Sequence, residues 1–509
     1  MELVTPPPRR TWCPIGRQGA RSATRFAAAL VLAGTAACAG GDRAASPTSP
    51  TVPSSTAPSS TAAPITAAPA PTTAMPAPAA TTVTVPASTA PSCPAIPARA
   101  QPPADRPRYD LTVDVRPAQN EVVGETRVRF TPDRPTDRLV FRLWPNGPRL
   151  ARAGARLDVG AVAVDGRPVD ARIDEATILV ARPGGTLAAG RSMDIVVPWR
   201  LNLPGPVNDR ISRSGDAVRL GSFFPILAWE PGVGWAVDPP TTGFAEASTV
   251  ASADFTATIT VPAGLDVLAT GRPDGAGRWT ATAVPDFALS VGRFTMASAT
   301  VNAPQPVEVT VGVHAGIADQ PGAYLRQVAE ALVDLSRRYG AYPWPSYSLA
   351  ITPELSGGIE YPMHVLQGPG TTTRTTPHEV AHMWFYGLVT NNQGRDPWLD
   401  EGLASFAEAR VENTLASFRA RTIPAAGRNR VGEPMSFWES RQSAYYRSVY
   451  VQGAQALAAL GDADLVDCVL RLYVARTAHR VARPGDLVDA AAAVFPGAEA
   501  TLARYGIRR

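Results

Sequence analysis

The sequence predicts a multidomain protein, in which an all-β sandwich or saddle domain (residues 104–304) precedes a mixed α/β, mainly helical domain (residues 305–509). The first half alternates apolar and polar residues with the period of two that strands require. The second half changes to a helical period, since Val328, Leu332 and Leu335 recur on one helical face. Each half holds about 200 residues, a typical domain size.

Residues 1–38 are predicted to be an export signal. Several arginines precede an apolar run from Phe26 to Ala37, which is too short to span a bilayer comfortably. Small residues and then Cys38 end this run, in a pattern that resembles a bacterial lipoprotein signal. We therefore expect a protein held through a lipid on Cys38 at the outer face of the cytoplasmic membrane or in the cell envelope. Ordinary cleavage with secretion and a retained anchor are the alternatives.

Residues 39–103 are predicted to be a disordered linker. They are rich in Ser, Thr, Ala and Pro and contain few charged or aromatic side chains. Such a segment cannot bury enough apolar surface to fold, and its prolines favour an extended spacer. The linker fits a spacer between a membrane anchor and a catalytic body, and the alternative is a secreted low-complexity tail.

Charge and cysteine content restrict the classes of function. The formal net charge is only +4 over 509 residues, without a basic cluster in the folded part, so nucleic-acid binding is not expected. Of the four cysteines, Cys93 and Cys468 remain after the predicted signal. They can pair in an exported protein, or stay apart, because the sequence does not show whether their Cα atoms approach each other.

Both domains are predicted to consist of short elements. In the β domain, residues 111–115 and 124–130 alternate most regularly. Further strands are expected near 139–143, 177–181, 193–199, 254–260 and 287–293. In the second domain we expect a strand at 307–313, a helix at 324–339, a strand at 347–352 and then helices to the C-terminus.

A metal-binding pattern lies in the second domain. His378 and His382 are four residues apart on a predicted helix, so both can bind one metal ion. Glu379 between them can act as a general base. Glu401, nineteen positions after the second histidine, can supply the third protein ligand and leave a fourth position for water. We expect one zinc ion per chain; the alternative is a Glu-His pair on a solvated helical face.

Glu408 is a candidate partner for a metal-binding histidine. It lies seven residues after Glu401, so the two share a helical face, and its carboxylate can accept the free N–H of a ligand histidine. The alternative is an exposed helical carboxylate.

A second pattern precedes the metal motif. Gly357 and Gly358 allow a backbone to approach a substrate closely, and Glu360 can bind a cation. Together with the metal pattern, this segment resembles that of the gluzincin zinc aminopeptidases, the aminopeptidase N family. The resemblance implies that Glu360 binds the free α-ammonium group of a peptide. Tyr361 replaces the family's asparagine, and the alternative is an ordinary glycine turn with an exposed glutamate.

The resemblance also implies a catalytic tyrosine and a thermolysin-like catalytic domain. Tyr450 fits the family's Tyr-x-Lys-Gly segment, with glutamine in place of lysine, and a phenol there can stabilise an oxyanion. Tyr445 and Tyr446 are rivals, and a buried core tyrosine is the alternative. Asp400 stands where the family has asparagine. The longer members' C-terminal helical domain is missing from this sequence, so we expect a more open site.

The expected function is that of a monomeric zinc metallopeptidase, which removes N-terminal residues from peptides with a free N-terminus. An endopeptidase with the same chemistry and a non-catalytic surface lipoprotein that binds peptides or zinc are the alternatives. The remaining histidines, His314, His364 and His479, are interpreted as structural or surface residues.

Overall fold

The computed structural model describes residues 91–242 and 251–509. The predicted export signal, Cys38 and most of the predicted linker lie outside these residues. The described residues fall within one compact unit. Among them, no helix is both long enough and apolar enough to cross a membrane.

The N-terminal half is built from short strands. In chain order these are β1 (Arg108–Arg116), β2 (Glu121–Phe130), β3 (Leu139–Arg142), β4 (Arg156–Val159), β5 (Ala163–Val164), β6 (Arg167–Pro168), β7 (Asp170–Asp174), β8 (Ile178–Arg182), β9 (Met193–Asn202), β10 (Ile211–Ser214), β11 (Ala217–Leu220), β12 (Ile226–Leu227), β13 (Trp229–Glu230), β14 (Gly234–Trp235), β15 (Ala253–Thr260), β16 (Asp266–Ala269), β17 (Arg272–Pro273), β18 (Arg278–Val284) and β19 (Leu289–Gly292). A short helix, α1 (Pro148–Arg152), interrupts them.

These strands form one large sheet, two four-stranded sheets and the two-stranded sheet β13-β14. The large sheet has the order β17-β18-β15-β1-β2-β9-β5-β6, with β4 also paired to β9. Two four-stranded sheets have the orders β10-β11-β19-β16 and β12-β3-β8-β7. Along β1, Tyr109, Leu111 and Val113 are buried while their neighbours Asp110 and Thr112 are exposed, because successive side chains of a strand point to opposite faces.

The C-terminal half combines a five-stranded sheet and the two-stranded sheet β25-β26 with helices. Its strands are β20 (Phe294–Ala303), β21 (Gln305–His314), β22 (Ser346–Ile351), β23 (Gly358–Ile359), β24 (His364–Gln367), β25 (Thr390–Asn391) and β26 (Val481–Ala482). Its helices are α2 (Pro321–Tyr339), α3 (Thr375–Ala381), α4 (Trp398–Val411), α5 (Leu415–Ala420), α6 (Met435–Trp438), α7 (Gln442–Tyr446), α8 (Gln452–Ala458), α9 (Ala463–Thr477), α10 (Pro484–Ala492) and α11 (Ala498–Ala503).

The five-stranded sheet has the order β20-β21-β22-β24-β23, so the short strand β23 forms its edge. The boundary predicted after residue 304 falls in the turn of the β20–β21 hairpin. Helix α2 packs on these two strands through Val328, Leu332 and Leu335, which are fully buried. The predicted fold, a β-rich half followed by a mainly helical half, is confirmed.

The end of the predicted linker lies against the C-terminal half. Cys93 forms a disulfide with Cys468 of α9, with the two Cα atoms 5.9 Å apart. The backbone N–H of Ala100 donates to the carbonyl of Ala475 at 2.8 Å, and Arg99 donates to the carbonyl of Ala341 at 2.6 Å. The covalent and hydrogen-bonded contacts order residues 91–103, although their composition favours disorder.

The two halves are joined beside the edge strand β23. The buried side chain of Arg219 in β11 donates hydrogen bonds to the carbonyls of Pro353 and Glu354. Asn208 exchanges two hydrogen bonds with Ser356, at 2.8 and 3.0 Å. The N-terminal half therefore fixes the segment that leads into β23.

His364 bridges the two halves in the core. Its ring nitrogens lie 3.0 Å from the hydroxyl of Ser290 in β19 and 2.7 Å from that of Ser348 in β22. Burial without a neighbouring carboxylate lowers the pKa of His364 to about 3. The structural role predicted for this histidine agrees with its position.

We expect His364 to make the stability of the protein depend on pH. The folded state keeps the imidazole neutral, whereas the unfolded chain takes up a proton near pH 6.5. Stability is therefore fully present above pH 6.5 and is lost as the pH falls towards 3, by up to about 1.4 kcal/mol per pH unit. Denaturant unfolding between pH 6.5 and 4 measures this slope. In His364→Gln the dependence of the unfolding free energy on pH should decrease by the equivalent of about one bound proton. Equal slopes in the wild type and the variant would contradict the prediction.

Candidate active site

Three ligand atoms converge at the centre of the C-terminal half. His378 in α3 and His382, directly after that helix, face Glu401 in the first turn of α4. The Nε2 atom of His378 lies 3.1 Å from Nε2 of His382 and 3.2 Å from Oε2 of Glu401. His382 Nε2 lies 3.4 Å from the same oxygen. For zinc with four ligands at about 2.0–2.1 Å, neighbouring ligand atoms are about 3.4 Å apart, so this spacing fits the ion.

The other ring nitrogens support this interpretation. His382 Nδ1 lies 2.6 Å from Oδ1 of the fully buried Asp400, and His378 Nδ1 lies 3.3 Å from Oε2 of Glu408. The hydrogen bond to Asp400 holds the proton on His382 Nδ1, and the negative charge of Glu408 beside His378 Nδ1 favours the same tautomer, so the lone pair of each ring is on Nε2. Two lone pairs and a carboxylate oxygen therefore point at one another, an arrangement that is favourable when a cation lies between them.

The charges around the histidines also favour a cation. Burial acts to lower the pKa of His378, but its interactions with Glu401, Glu408 and Glu379 together outweigh burial, and the pKa is raised to about 10. For His382, the negative charges of Glu360 and Asp400 likewise outweigh burial and raise the pKa well above its usual range. The same negative potential that attracts protons attracts a metal ion.

Glu379 lies beside the metal-binding residues against the edge strand β23. Glu379 is buried, and its carboxylate lies close to the carboxylate of Glu360 and to the ring of His382. One carboxylate oxygen of each glutamate and one ring nitrogen of His382 all lie within 4.8 Å of one another. A Cβ atom on Gly358 would lie 2.4 Å from the carboxyl carbon of Glu379. Position 358 therefore accepts only glycine while Glu379 holds this place. Gly357 has a φ of 86°, which also favours glycine.

Glu360 follows β23 and is buried at the same centre. Its neighbour Tyr361 is anchored in the N-terminal half, where the phenol oxygen lies 3.3 Å from the hydroxyl of Ser222. That hydroxyl donates to the buried Asp286 at 2.7 Å. The tyrosine that replaces the family's asparagine thus fixes the backbone beside Glu360.

Tyr450 lies over the metal-binding residues from the other side. Its phenol donates a 2.5 Å hydrogen bond to Oε1 of Glu401, and its ring stacks on that of His378 with the centroids 5.7 Å apart. Helix α8 can come this close to α4 because Gly453 meets Gly402. A Cβ atom on Gly453 would lie 2.7 Å from the Cα atom of Gly402.

The rival tyrosines occupy different places. Tyr445 is buried and contacts Tyr450 edge-on, with the ring centroids 5.8 Å apart. Tyr446 is 45% exposed, and its phenol oxygen accepts a hydrogen bond from Arg374 at 3.3 Å. Of the three, Tyr450 is the one whose hydroxyl contacts a metal-binding carboxylate.

A cavity of about 510 Å³ opens onto this centre. Its walls come from both halves of the chain, since Thr241 precedes the second half and the other lining residues belong to it. The sequence-predicted residues that line it are Gly357, Gly358, Glu360, His378, Glu379, His382, Glu401, Glu408 and Tyr450. The structure therefore brings the predicted metal-binding, catalytic and substrate-binding residues and Glu408 together, whereas Cys38 lies outside the described residues.

Sequence reasoning missed two features of the site. The sequence marks Asp400 only as a departure from the family, although its Oδ1 lies against His382 and its Oδ2 accepts from Gln393. The sequence motifs do not include Arg374, four residues before His378, although it lines the cavity and pairs with Glu408 at 2.8 Å. The signal for Arg374 was its position one helical turn before a metal ligand.

Similarity to known proteins agrees with this geometry. Residues 367–495 match the Peptidase family M1 domain. Aminopeptidase B of Homo sapiens is 27% identical over 198 residues, which cover 33% of this chain and 30% of the relative. Leukotriene A-4 hydrolase of Xenopus laevis is 33% identical over 96 residues, which cover 17% of this chain and 16% of the relative. The chain thus spans less than one third of the length of these relatives.

Solved structures share the fold over most of the chain. The M1 zinc metallopeptidase from Deinococcus radiodurans superposes with a TM-score of 0.60 at 23% identity, covering 80% of this chain and 94% of that chain. A mutant of that enzyme bound to a Tyr-Ser-Ala substrate superposes with a TM-score of 0.59 at 23% identity, over 80% and 95% of the two chains. The resemblance that the sequence motifs indicated is confirmed. Residues 367–495 of this chain thus match the peptidase family M1 domain, and the chain shares the fold of the two-domain M1 zinc metallopeptidases.

Proposed function

We propose that this protein is a zinc-dependent aminopeptidase. The observation that carries the proposal is the convergence of His378, His382 and Glu401 at distances of 3.1–3.4 Å, with the carboxylates of Glu379 and Glu360 beside them. The two histidines and Glu401 would hold zinc. Glu379 would take part in the reaction, and Glu360 would bind the substrate. The similarity to aminopeptidases supports the same function.

Zinc, when bound by these three side chains, supplies a Lewis acid that activates water and polarises the carbonyl of the scissile peptide bond. Glu379 accepts the proton of the attacking water and then passes it to the nitrogen of the leaving amine. The phenol of Tyr450 donates a hydrogen bond to the oxyanion that develops on the former carbonyl oxygen. Asp400 and Glu408 hold the imidazole rings in the orientation that this chemistry needs.

Glu360 gives the proposed enzyme its preference for chain ends. Its carboxylate is buried beside Glu379 and His382, where it can pair with the α-ammonium group of a peptide. The β23 backbone beside it forms one edge of the five-stranded sheet, where an extended peptide can add. A substrate held in this way has its first peptide bond next to Glu379, so cleavage occurs after one residue.

We expect the purified protein to hydrolyse N-terminally free peptides much faster than the same peptides carrying an N-acetyl group. Glu360→Gln keeps the shape of the side chain but loses its charge, so kcat/KM for free peptides should fall by roughly 10–100-fold. Acetylated peptides measured in parallel give the preference directly. Equal rates for free and acetylated peptides in the wild type would indicate an endopeptidase instead.

The matched control is Glu330→Gln. Glu330 lies on the exposed face of α2, away from the cavity, so this variant should keep the wild-type preference for free peptides. Bound zinc, measured per chain, separates loss of metal from loss of recognition. A protein with stoichiometric zinc that cleaves no member of a broad peptide library would support the non-catalytic binder.

We also propose that the enzyme is exported and anchored by a lipid on Cys38, with the linker as a spacer. The arginine-rich start, the short apolar run and the small residues before Cys38 support this proposal. A radiolabelled fatty acid should be incorporated in bacterial cells that express the wild type and not in cells that express Cys38→Ala. Absence of label from the wild-type protein would contradict the anchor.

A further inference from the structure

We propose that Arg374 forms a carboxylate-binding subsite, which receives the C-terminal carboxylate of a short peptide on the leaving-group side of the scissile bond. This inference rests on the proposed function, because it places the C-terminal end of the peptide whose N-terminal end binds Glu360. It predicts that the enzyme prefers short peptides with a free C-terminus over amidated ones.

The first observation is the charge of the cavity. Among the described residues that line it, the acidic side chains are Glu360, Glu379, Glu401, Glu408 and Glu439, whereas Arg374 is the only arginine or lysine. Away from the position between His378, His382 and Glu401, which zinc would occupy, this composition repels anions except where the guanidinium lies. An anionic group of a substrate that does not bind the metal therefore has its favourable place at Arg374.

The second observation is that Arg374 is held in position. Its Nε donates to Oε1 of Glu408 at 2.8 Å, and its Nη2 donates to the phenol oxygen of Tyr446 at 3.3 Å. Arg374 has a φ of 60° and a ψ of −54°. This backbone conformation is costly for a residue other than glycine, and such conformations are concentrated at ligand-binding sites. Arg374 is therefore oriented before a ligand arrives.

The guanidinium is still available for a ligand. The side chain of Arg374 is 44% exposed, whereas that of its partner Glu408 is only 5% exposed. Its Nη1 makes no hydrogen bond to any of the described residues, and a guanidinium offers five N–H donors in a fork that matches a carboxylate. Glu408 uses Nε and Tyr446 uses one hydrogen of Nη2, so Nη1 and the second hydrogen of Nη2 can bind a second carboxylate.

The third observation is the position of Arg374 relative to Glu360. Glu360 approaches the metal-binding residues beside Glu379 and His382. Arg374 lies on the other side, since its partner Glu408 faces His378 and its partner Tyr446 contacts Tyr450, with the ring centroids 4.9 Å apart. A peptide that runs from Glu360 past the metal-binding residues thus ends towards Arg374.

The two ends of the cavity match the two ends of a short peptide. Glu360 is complementary to an α-ammonium group, and Arg374 is complementary to an α-carboxylate. An extended chain spans roughly 3.3–3.6 Å per residue, so a tripeptide is about 10 Å long. The cavity of about 510 Å³ has the size of sites that enclose small ligands. An acidic side chain on the residue after the scissile bond is the other source of a carboxylate for Arg374.

The test compares kcat/KM for Ala-Ala-Ala and for Ala-Ala-Ala-amide with the zinc-loaded protein. We expect the free acid to be preferred about tenfold or more in the wild type, because a charge-assisted hydrogen bond is lost in the amide. In Arg374→Gln the ratio should fall to about one. Arg374→Lys should restore part of the preference, because lysine returns the charge without the fork.

Two further arms identify the source of the carboxylate. Ala-Asp-Ala-amide and Ala-Asn-Ala-amide differ only in an acidic side chain after the scissile bond. A preference for the aspartyl peptide that depends on Arg374, together with a free-acid ratio of about one, would replace the C-terminal assignment by a side-chain assignment. Arg447→Gln is the matched control, because Arg447 is exposed, lies outside the cavity lining and, among the described residues, its side chain donates to the carbonyl of Thr422 alone. This control should keep the wild-type ratio.

A merely structural role of Arg374 gives a different result. If Arg374 only orients Glu408, Arg374→Gln should lower the rates for the acid and the amide equally, and the unchanged ratio would overturn the subsite. Hydrolysis of both wild-type substrates at equal rates would overturn it as well. If the zinc-loaded wild type cleaves neither peptide and no other free peptide, the proposed function itself has failed, which is a separate outcome.

Discussion

Glu379→Gln should lower kcat by about 10²–10⁴-fold while zinc stays bound. Glutamine keeps the size of the side chain, and Glu379 is not one of the three convergent donors His378, His382 and Glu401. The amide cannot accept the proton of water or return it to the leaving amine, so only proton transfer is lost. Steady-state kinetics on a free tripeptide, with zinc measured per chain, provide the comparison.

Metal removal and the Glu330→Gln variant are the controls for this result. Treatment with a chelator should abolish activity in the wild type, and added zinc should restore it, whereas zinc should not restore activity to Glu379→Gln. The substrate KM should change little, because the substitution removes an interaction that acts on the transition state. A variant that retains zinc and more than a tenth of the wild-type kcat would assign the proton transfer to another group.

The metal-binding residues could be predicted from the sequence because their geometry is local. His378 and His382 are separated by one helical turn, which places them on one face whatever the rest of the chain does. The strands of the N-terminal half could be predicted for a similar reason, since the alternation along β1 directly reflects burial on one face. Both the spacing of the histidines and the alternation along β1 follow from the residue period of a single helix or strand.

The partners of these residues could not be predicted because they depend on how elements pack. Asp400 reaches His382 only because the first turn of α4 lies against the end of α3. Gly402 and Gly453 are 51 positions apart in the sequence, and only the fold brings them into contact. The Cys93–Cys468 disulfide is separated by 375 positions, so the sequence left its formation open.

The choice among the three tyrosines depended on a local irregularity. Residues Arg447–Val451 form a π-helical turn between α7 and α8. Such a turn changes the direction of the following side chains relative to a continuous α-helix. An α-helical projection therefore gives the wrong relation between Tyr446 and Tyr450. The π turn and the close packing at Gly453 together direct the phenol of Tyr450 to Glu401.

Tyr450→Phe should lower kcat by about 10²–10³-fold, which is the usual cost of removing one donor to an oxyanion. Phenylalanine keeps the ring that stacks on His378, so zinc content and the thermal midpoint should stay close to those of the wild type. The hydrogen bond to Glu401 is lost as well, and the zinc measurement separates this effect from the effect on catalysis. Tyr445→Phe should cost less, because the hydroxyl of Tyr450 is the one directed at the metal-binding residues. A larger loss of kcat in Tyr445→Phe than in Tyr450→Phe would reverse the two roles.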